Sequence, residues 1–331
     1  MPMLSVPYSR YLFGFIPWYS FLIVTGAAIA IILAVHEEKK LRLKKDTVVD
    51  FALVVLPFGI LGARIYYVLF SWESFKDNLL SILKIWEGGI AIYGAVIAGL
   101  LTALLFCKKK KMHFPTLCDI IAPGLVLAQA IGRWGNYFNQ EAYGLCVTNE
   151  SLQFFPFAVQ IQTENGLQWH MATFFYESVW NFLIFIFLMI ARRKIFRYHG
   201  DVITFYAIFY ACGRLIIEDF RMDSLYASSN IRISQLLSVM ISFAILLYYF
   251  GFFRKHNKKP NSMIALLLFS FTCIVDTVMI LWMTGAVSIS LNNVLIRFLI
   301  LFACSLMNIL SLIVIYGRNA EGEIIYANNK K

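Results

Sequence analysis

The chain has 331 residues, 60% of them hydrophobic and only 15% charged, and its mean hydropathy is +0.70. A water-soluble domain cannot cover that much apolar surface, so the composition excludes an ordinary soluble globular protein and indicates an all-α polytopic membrane protein. The formal net charge of +10 is gathered in short runs between apolar stretches, which reads as membrane topology and excludes nucleic acid as the partner. A helix needs about 20 apolar residues to cross the hydrocarbon core. In chain order such spans are predicted near 18–35, 48–70, 88–107, 116–134, 172–191, 201–219, 233–252, 263–284 and 293–316. Only Arg10 precedes the first, with no small-residue cleavage site, so it reads as a retained span rather than a signal peptide.

The connecting segments alternate in charge. "HEEKKLRLKK" (36–45), "KKKK" (108–111), "RRKIFR" (192–197) and "FRKHNKK" (253–259) are basic, whereas the long segment 135–170 has no Lys or Arg. The positive-inside rule therefore predicts the N-terminus and the 135–170 loop outside, and the basic loops and C-terminus inside. Within the outer loop, "LQFFPFAVQIQ" (152–162) has the composition of a short strand or interfacial segment. A compositional boundary falls at "KHNKKPNS" (255–262). It divides a seven-span core, residues 1–260, from an appended two-span extension, residues 261–331, whose main internal charges are Asp276 and Arg297.

Polar residues collect at the predicted outer ends of the spans. "IGRWGNYFNQEAYG" (131–144) places Arg133 and Asn136 three apart, on one face of a continuing helix, with Asn139, Glu141 and Gly144 just beyond. "GRLIIEDFR" (213–221) puts Arg214, Glu218 and Arg221 at i, i+4 and i+7, a single helical stripe. Tyr19 opens the first span, Arg64 lies in the outward part of the second, and "WEGGIAIYG" (86–94) opens the third. Arg221 sits near a helix end, where snorkelling to water explains it as well as function does. Arg214 and Arg64 lie deeper, where an unpaired guanidinium is costly and a partner or ligand is expected. Gly88, Gly89 and Gly94 fit two accounts equally, close helix packing or admission of a lipid. Arginines at headgroup depth match the oxygens of a phosphate. The six cysteines show neither CxxC nor metal-ligand spacing, and His170 is the only histidine on the outer side, so no metal and no cofactor are expected.

These residues resemble a known family. "GRWGNYFNQEAYG" is similar to the signature GRxGNFxNxExxG of the bacterial prolipoprotein diacylglyceryl transferases, with Tyr137 in the Phe place. "LGARIYYVLF" (61–70), "WEGGIAIYG", "CDIIAPG" (118–124), "ATFFYES" (172–178) and "GRLIIEDFR" follow the family's order, and the likeness covers about residues 8 to 255. The resemblance implies transfer of the sn-1,2-diacylglyceryl group of phosphatidylglycerol to the lipobox cysteine thiol of a prolipoprotein signal peptide. A thioether forms and glycerol 1-phosphate leaves. It also implies a bacterial cytoplasmic membrane, with the active site facing the outer leaflet.

Carried over residue by residue, the resemblance assigns phosphate and substrate holding to Arg133 and Arg214. Asn136, Glu141, Gly144 and Tyr19 shape the cavity, and Glu218 and Arg221 support it; Asn139, Arg64, Gly88 and Gly94 are further substrate-binding candidates by their place at the same outer ends. One departure stands out: the position after "GGIAI", histidine in some members, is Tyr93 here. Tyrosine, with a pKa near 10, is a poor general base. His170, the only histidine outside, is by location either the candidate base or an ordinary surface-loop histidine. Tyr93 is expected to orient the lipid, with the arginine field lowering the thiol's pKa and no indispensable base. The rival reading, a transporter or flippase of anionic lipids, predicts inverted repeats and broken mid-membrane helices, and neither is visible in the sequence.

Overall fold

Each apolar run forms one helix because, without water, the backbone must satisfy its own hydrogen bonds, and a continuous helix does so. The computed structural model describes residues 9–164, 166–228, 231–256, 263–283 and 294–319. Among them are nine α-helices: α1 (Trp18–Lys40), α2 (Thr47–Phe70), α3 (Ile92–Lys110), α4 (Phe114–Asn139), α5 (Thr173–Lys194), α6 (Asp201–Ile217), α7 (Ile233–His256), α8 (Met263–Met283) and α9 (Val294–Asn319). Seven of these contain stretches long and apolar enough to cross a membrane. The chain is a multi-pass all-α membrane protein. Most of the predicted junction 255–262 and the tail from residue 320 lie outside the described residues.

The expected spans match the helices with three informative differences. α1 continues past its apolar part to Lys40, where its final basic residues suit the negative end of the helix dipole. α3 begins at Ile92 rather than 88, because Gly88 and Gly89 take positive φ of 91° and 73°, which no helix residue adopts. α4 runs on to Asn139, so the long connection starts at Gln140 instead of 135.

The chain folds as two compact units, Ala30–Gly124 and Met1–Ile29 with Leu125–Lys331, whose boundaries fall inside α1 and α4. In the smaller unit, buried Glu38 at the end of α1 accepts from the backbone nitrogens of Asp46 (3.0 Å) and Val48 (2.6 Å). A side-chain carboxylate thus satisfies donors left open at the start of α2. α2 and α3 meet backbone to backbone: a Cβ on Gly94 would stand 2.3 Å from the carbonyl oxygen of Gly62. At Gly94 the packing account of the sequence is the one observed.

In the larger unit, the long connection after α4 contains an antiparallel hairpin of β1 (Ala158–Thr163) and β2 (Gly166–Met171), in the register Ala158↔Met171 to Thr163↔Gly166. The strand expected within 152–162 is therefore β1, shifted towards its C-terminal half. Segment 144–147 lies beside β2, with Gly144 N donating to Met171 O (2.9 Å) and Val147 N to Trp169 O (2.8 Å). Tyr137, Val159, Ile161, Ala172 and Phe174 form a buried cluster beneath the hairpin, which fixes this connection against α4 and α5.

Candidate active site

All the residues of the site core come from the larger unit. α4 supplies Arg133 and Asn136 from its last two turns. It stops at Asn139 because Gln140 and Ala142 adopt the left-handed conformation, with φ of 55° and 54°. Non-glycine residues rarely hold that geometry, at a cost of about 1–3 kcal/mol each, so surrounding contacts must impose it. The contacts are visible: Glu141 N donates to Asn136 O (3.0 Å), and Thr173 Oγ1 donates to Ala142 O (2.6 Å). The turn brings Glu141 back under the helix end, where its Oε1 accepts from Asn136 Nδ2 (2.9 Å) and Asn139 Nδ2 (3.3 Å).

Two signature glycines allow close approach here. A Cβ on Gly135 would lie 2.7 Å from the ring of Tyr19, so the glycine seats Tyr19 against α4. Trp18 stacks on Phe138, with ring centroids 4.8 Å apart, and reinforces the same contact. Tyr19 thereby falls within the electrostatic reach of Glu141 and Arg133. A Cβ on Gly144 would meet Met171 and Thr173, both at 2.8 Å, and Gly144 also forms an isolated bridge with Arg221.

The centre of the site is Glu177, buried four residues into α5. Its Oε1 is 2.6 Å from Arg133 Nη2, and its Oε2 accepts from Arg214 Nη1 at 2.9 Å. Arg214 gives its other terminal nitrogen to Glu218 Oε2, and Arg221 Nη1 approaches the same oxygen at 3.5 Å. Three guanidiniums therefore surround two buried carboxylates. Arg133 pairs with the carboxylate of Glu177 and hydrogen-bonds with Tyr210 of α6, and its side chain is 21% exposed against 13% for Arg214. Arg214 is held by two carboxylates. Arg133 is the cation with capacity for a further anion; Arg214 is the fixed counterpart that keeps Glu177 in place.

Arg221 does not continue the helical stripe as expected. α6 ends at Ile217, a tight 3₁₀ turn spans Glu218–Phe220, and Arg221 is extended, with φ −77° and ψ 138°. It still reaches Glu218 because the turn folds it back, and Asp223 takes its Nε and Nη2 at 3.0 Å each.

The family model described as prolipoprotein diacylglyceryl transferase matches residues 11–250. The chain belongs to this family. A phosphatidylglycerol–prolipoprotein diacylglyceryl transferase of Streptococcus equi subsp. equi (strain 4047) is 42% identical over 246 residues, covering 74% of this chain and 93% of the relative. The Listeria monocytogenes serovar 1/2a protein of that name is 44% identical over 239 residues, covering 70% and 85%. That of Streptococcus suis (strain 05ZYH33) is 45% identical over 224 residues, covering 67% and 83%.

Within this family member the other expected site residues fall as follows. His170 is buried on β2, and its Nδ1 lies 2.8 Å from Gly144 O. A carbonyl only accepts, so Nδ1 carries a proton; Nε2, the atom a base would use, is covered and has no hydrogen-bond partner. The ring also packs edge-on against Tyr143. The visible work of His170 is to hold the signature turn at Gly144. His170→Gln is expected to keep turnover within about tenfold of the parent, well inside the 10²-fold or greater loss typical of a missing general base. A pH–rate profile still rising through thiol ionisation checks this; abolished turnover with lipid binding intact would make His170 the base.

Arg64, Gly88, Tyr93 and Gly94 belong to the smaller unit. Arg64 has found its partners in its own unit: Nε donates to Ile82 O (2.8 Å), Nη1 to Gly88 O (2.6 Å) and Gly89 O (2.7 Å), and Nη2 to Ser81 O (2.7 Å). One buried guanidinium pins the segment leading into α3. Tyr93 lies on the first turn of α3 near Tyr66, with ring centroids 6.3 Å apart.

Sequence reading missed Glu177 as a site residue, although "ATFFYES" contains it. The available signal was a lone carboxylate inside an apolar span, which is too costly to be kept without a cationic partner. It also missed Asp219, buried beside Glu218 and paired with Arg232 and Arg297.

Proposed function

We propose that the protein transfers the sn-1,2-diacylglyceryl group of phosphatidylglycerol to the lipobox cysteine thiol of prolipoproteins. The observation that carries this reading is the Arg133–Glu177–Arg214 bridge, in a chain whose relatives bear this activity in their names. The phosphodiester of the lipid sits at Arg133, whose planar donor fork matches two phosphate oxygens. The substrate sulfur attacks the glyceryl carbon, the S–C bond forms, and the C–O bond to phosphorus breaks. Glycerol 1-phosphate departs, and the thiol proton passes to solvent or to the departing phosphate.

Negative charge on the leaving phosphate grows along this path. A fixed cation therefore stabilises the transition state more than the ground state. A free thiol, with a pKa of about 8.5, is mostly protonated at neutral pH. The same cationic field favours its thiolate, so no dedicated base is indispensable. Tyr93, assigned through the family motif, orients the lipid. Tyr93→Phe is expected to slow transfer by roughly one to two orders of magnitude, the scale of one hydrogen bond lost in a dry site. Unchanged transfer would remove Tyr93 from the account.

The lysine-poor connection 140–172 and the four basic loops support a site facing the outer leaflet of the cell membrane. Cys146 in that connection is exposed, whereas Cys107 beside the lysine run is buried and makes a poor reporter. In a chain keeping Cys146 alone, an impermeant maleimide added from outside is expected to label it. A chain carrying only Lys109→Cys should stay unlabelled until the membrane is broken. The reverse pattern would invert the orientation.

Purified protein incubated with phosphatidylglycerol and a lipobox peptide should add one diacylglyceryl mass to the peptide. A flippase of anionic lipids would instead move labelled lipid across the bilayer and leave the peptide unchanged.

A further inference from the structure

The family match ends at residue 250, before α8 and α9 begin. These two helices could have packed anywhere on the lipid-facing surface. α9 instead lies along α6, the helix that carries Arg214, and meets it at three levels. At the start of α6, the Tyr316 hydroxyl donates to Asp201 Oδ2, while Tyr249 of α7 donates to Oδ1 at 2.7 Å. Midway, Ser305 Oγ donates to Cys212 O (3.3 Å), and Cys212 Sγ approaches Ser305 O at 3.6 Å. At the far end, Arg297 Nε donates to Asp219 Oδ2 at 2.7 Å. The pairs 201–316, 212–305 and 219–297 define an antiparallel register over nearly the whole of both helices, about the thickness of the hydrocarbon core.

The last contact is the informative one. Glu218 and Asp219 are neighbours in the 3₁₀ turn that closes α6, and they serve opposite sides. Glu218 receives Arg214 and Arg221 of the site, whereas Asp219 receives Arg297 of α9 at 2.7 Å and Arg232 at 3.4 Å. Both carboxylates are buried. Without Arg297, Asp219 would be left with the longer contact to Arg232 at 3.4 Å, an under-neutralised negative charge beside Glu218 that draws on the same arginines. Arg297 supplies the opposite charge from outside the site and fixes the turn's orientation, so that Glu218 remains directed at Arg214.

We propose that the C-terminal helices α8 and α9 are a positioning element for the phosphate site, with Arg297 acting through Asp219 on the Glu218–Arg214 pair. The inference rests on the transferase reading given above. Arg297 and Asp219 are positioning residues, and neither needs to touch substrate. The hairpin is itself tied together internally, by Thr272 and Ser311 hydroxyls 2.6 Å apart and by Asn308 Nδ2 donating to Asp276 Oδ1 at 2.9 Å.

The test uses the full-length protein in phosphatidylglycerol-containing proteoliposomes with a lipobox peptide. Arg297→Gln is expected to lower kcat about tenfold with the KM for phosphatidylglycerol unchanged within twofold, since a misdirected Arg214 weakens charge stabilisation in the transition state. Arg297→Lys should recover most of kcat, because one ammonium still neutralises Asp219. Ser311→Ala, which loosens α9 from α8 without touching Asp219, serves as the stability control and should lower thermal stability while leaving kcat in place. Parent-like kcat in Arg297→Gln would overturn the inference. So would a kcat loss in Ser311→Ala matching that of Arg297→Gln, or no recovery with lysine. An inactive parent protein would count against the transferase reading instead, which keeps the two failures distinct.

Discussion

Arg133→Lys is expected to reduce diacylglyceryl transfer by about 10²-fold or more, the range seen when one preorganised donor to a developing charge is removed. The substitution keeps the positive charge and most of the stem, so the loss isolates geometry. Arg133 already pairs with Glu177 Oε1, 2.6 Å away, and hydrogen-bonds with Tyr210, and its planar fork offers five donors in all. A lysine ammonium at this position is a point charge that cannot face a carboxylate and two phosphate oxygens in one plane. kcat should fall while the affinity for phosphatidylglycerol changes by less than about tenfold, because the ground-state phosphodiester carries only a single charge. Steady-state kinetics with the lipobox peptide check this, and near-parental turnover would leave Arg133 a purely structural residue.

The second large effect is expected at Glu177. This carboxylate, 3% exposed, pairs with both Arg133 and Arg214. Glu177→Gln removes the charge between two guanidiniums and leaves them facing each other in a region with little water. Breaking a buried pair on one side costs about 3–5 kcal/mol. Part should appear as lower thermal stability, and part as a turnover loss of about 10²-fold as Arg133 leaves its position. A double-mutant cycle separates the two. If Glu177 acts by holding Arg133, then Arg133→Lys placed on Glu177→Gln should cost much less than it does alone. Fully additive losses would show that the two residues act independently.

The helices were legible in the sequence because the physics that makes them is local. An apolar run of membrane length between basic segments has one low-energy form: each of the nine predicted spans coincides with a helix to within a few residues, and seven of these helices are long and apolar enough to cross a membrane. The errors arose where backbone geometry depends on partners distant in sequence. Gly135 resembles a helix breaker, yet α4 passes through it because the missing Cβ makes room for Tyr19, more than a hundred positions earlier. Arg221 was placed on a helical stripe by its spacing, but the 3₁₀ turn at Glu218–Phe220, stitched by Arg232 to the carbonyl of Glu218, takes it off the helix.

The candidate site was legible in part, and for a different reason. Charged residues in an apolar chain are conspicuous, so Arg133, Arg214 and Glu218 could be singled out one at a time. Pairing was not visible. That Arg133 and Arg214 share Glu177 follows from how α4, α5 and α6 meet, helped by Ser178 Oγ donating to Ala130 O at 2.8 Å. Arg64 shows the opposite case. Its depth predicted a partner, and the partners are backbone carbonyls of its own unit, which no side-chain pattern announces.

The central claim is that the glyceryl C–O bond of phosphatidylglycerol breaks at a phosphate held by Arg133, and that sulfur takes the carbon. Phosphatidylglycerol labelled in its headgroup, mixed with a lipobox peptide and the purified protein, measures this most directly. Water-soluble glycerol phosphate should appear in equal amount to modified peptide, and the link to the peptide sulfur should survive neutral hydroxylamine, which cleaves thioesters and spares thioethers. A hydroxylamine-labile adduct with label remaining in lysophosphatidylglycerol would mean acyl transfer through an ester carbonyl, and would contradict the account.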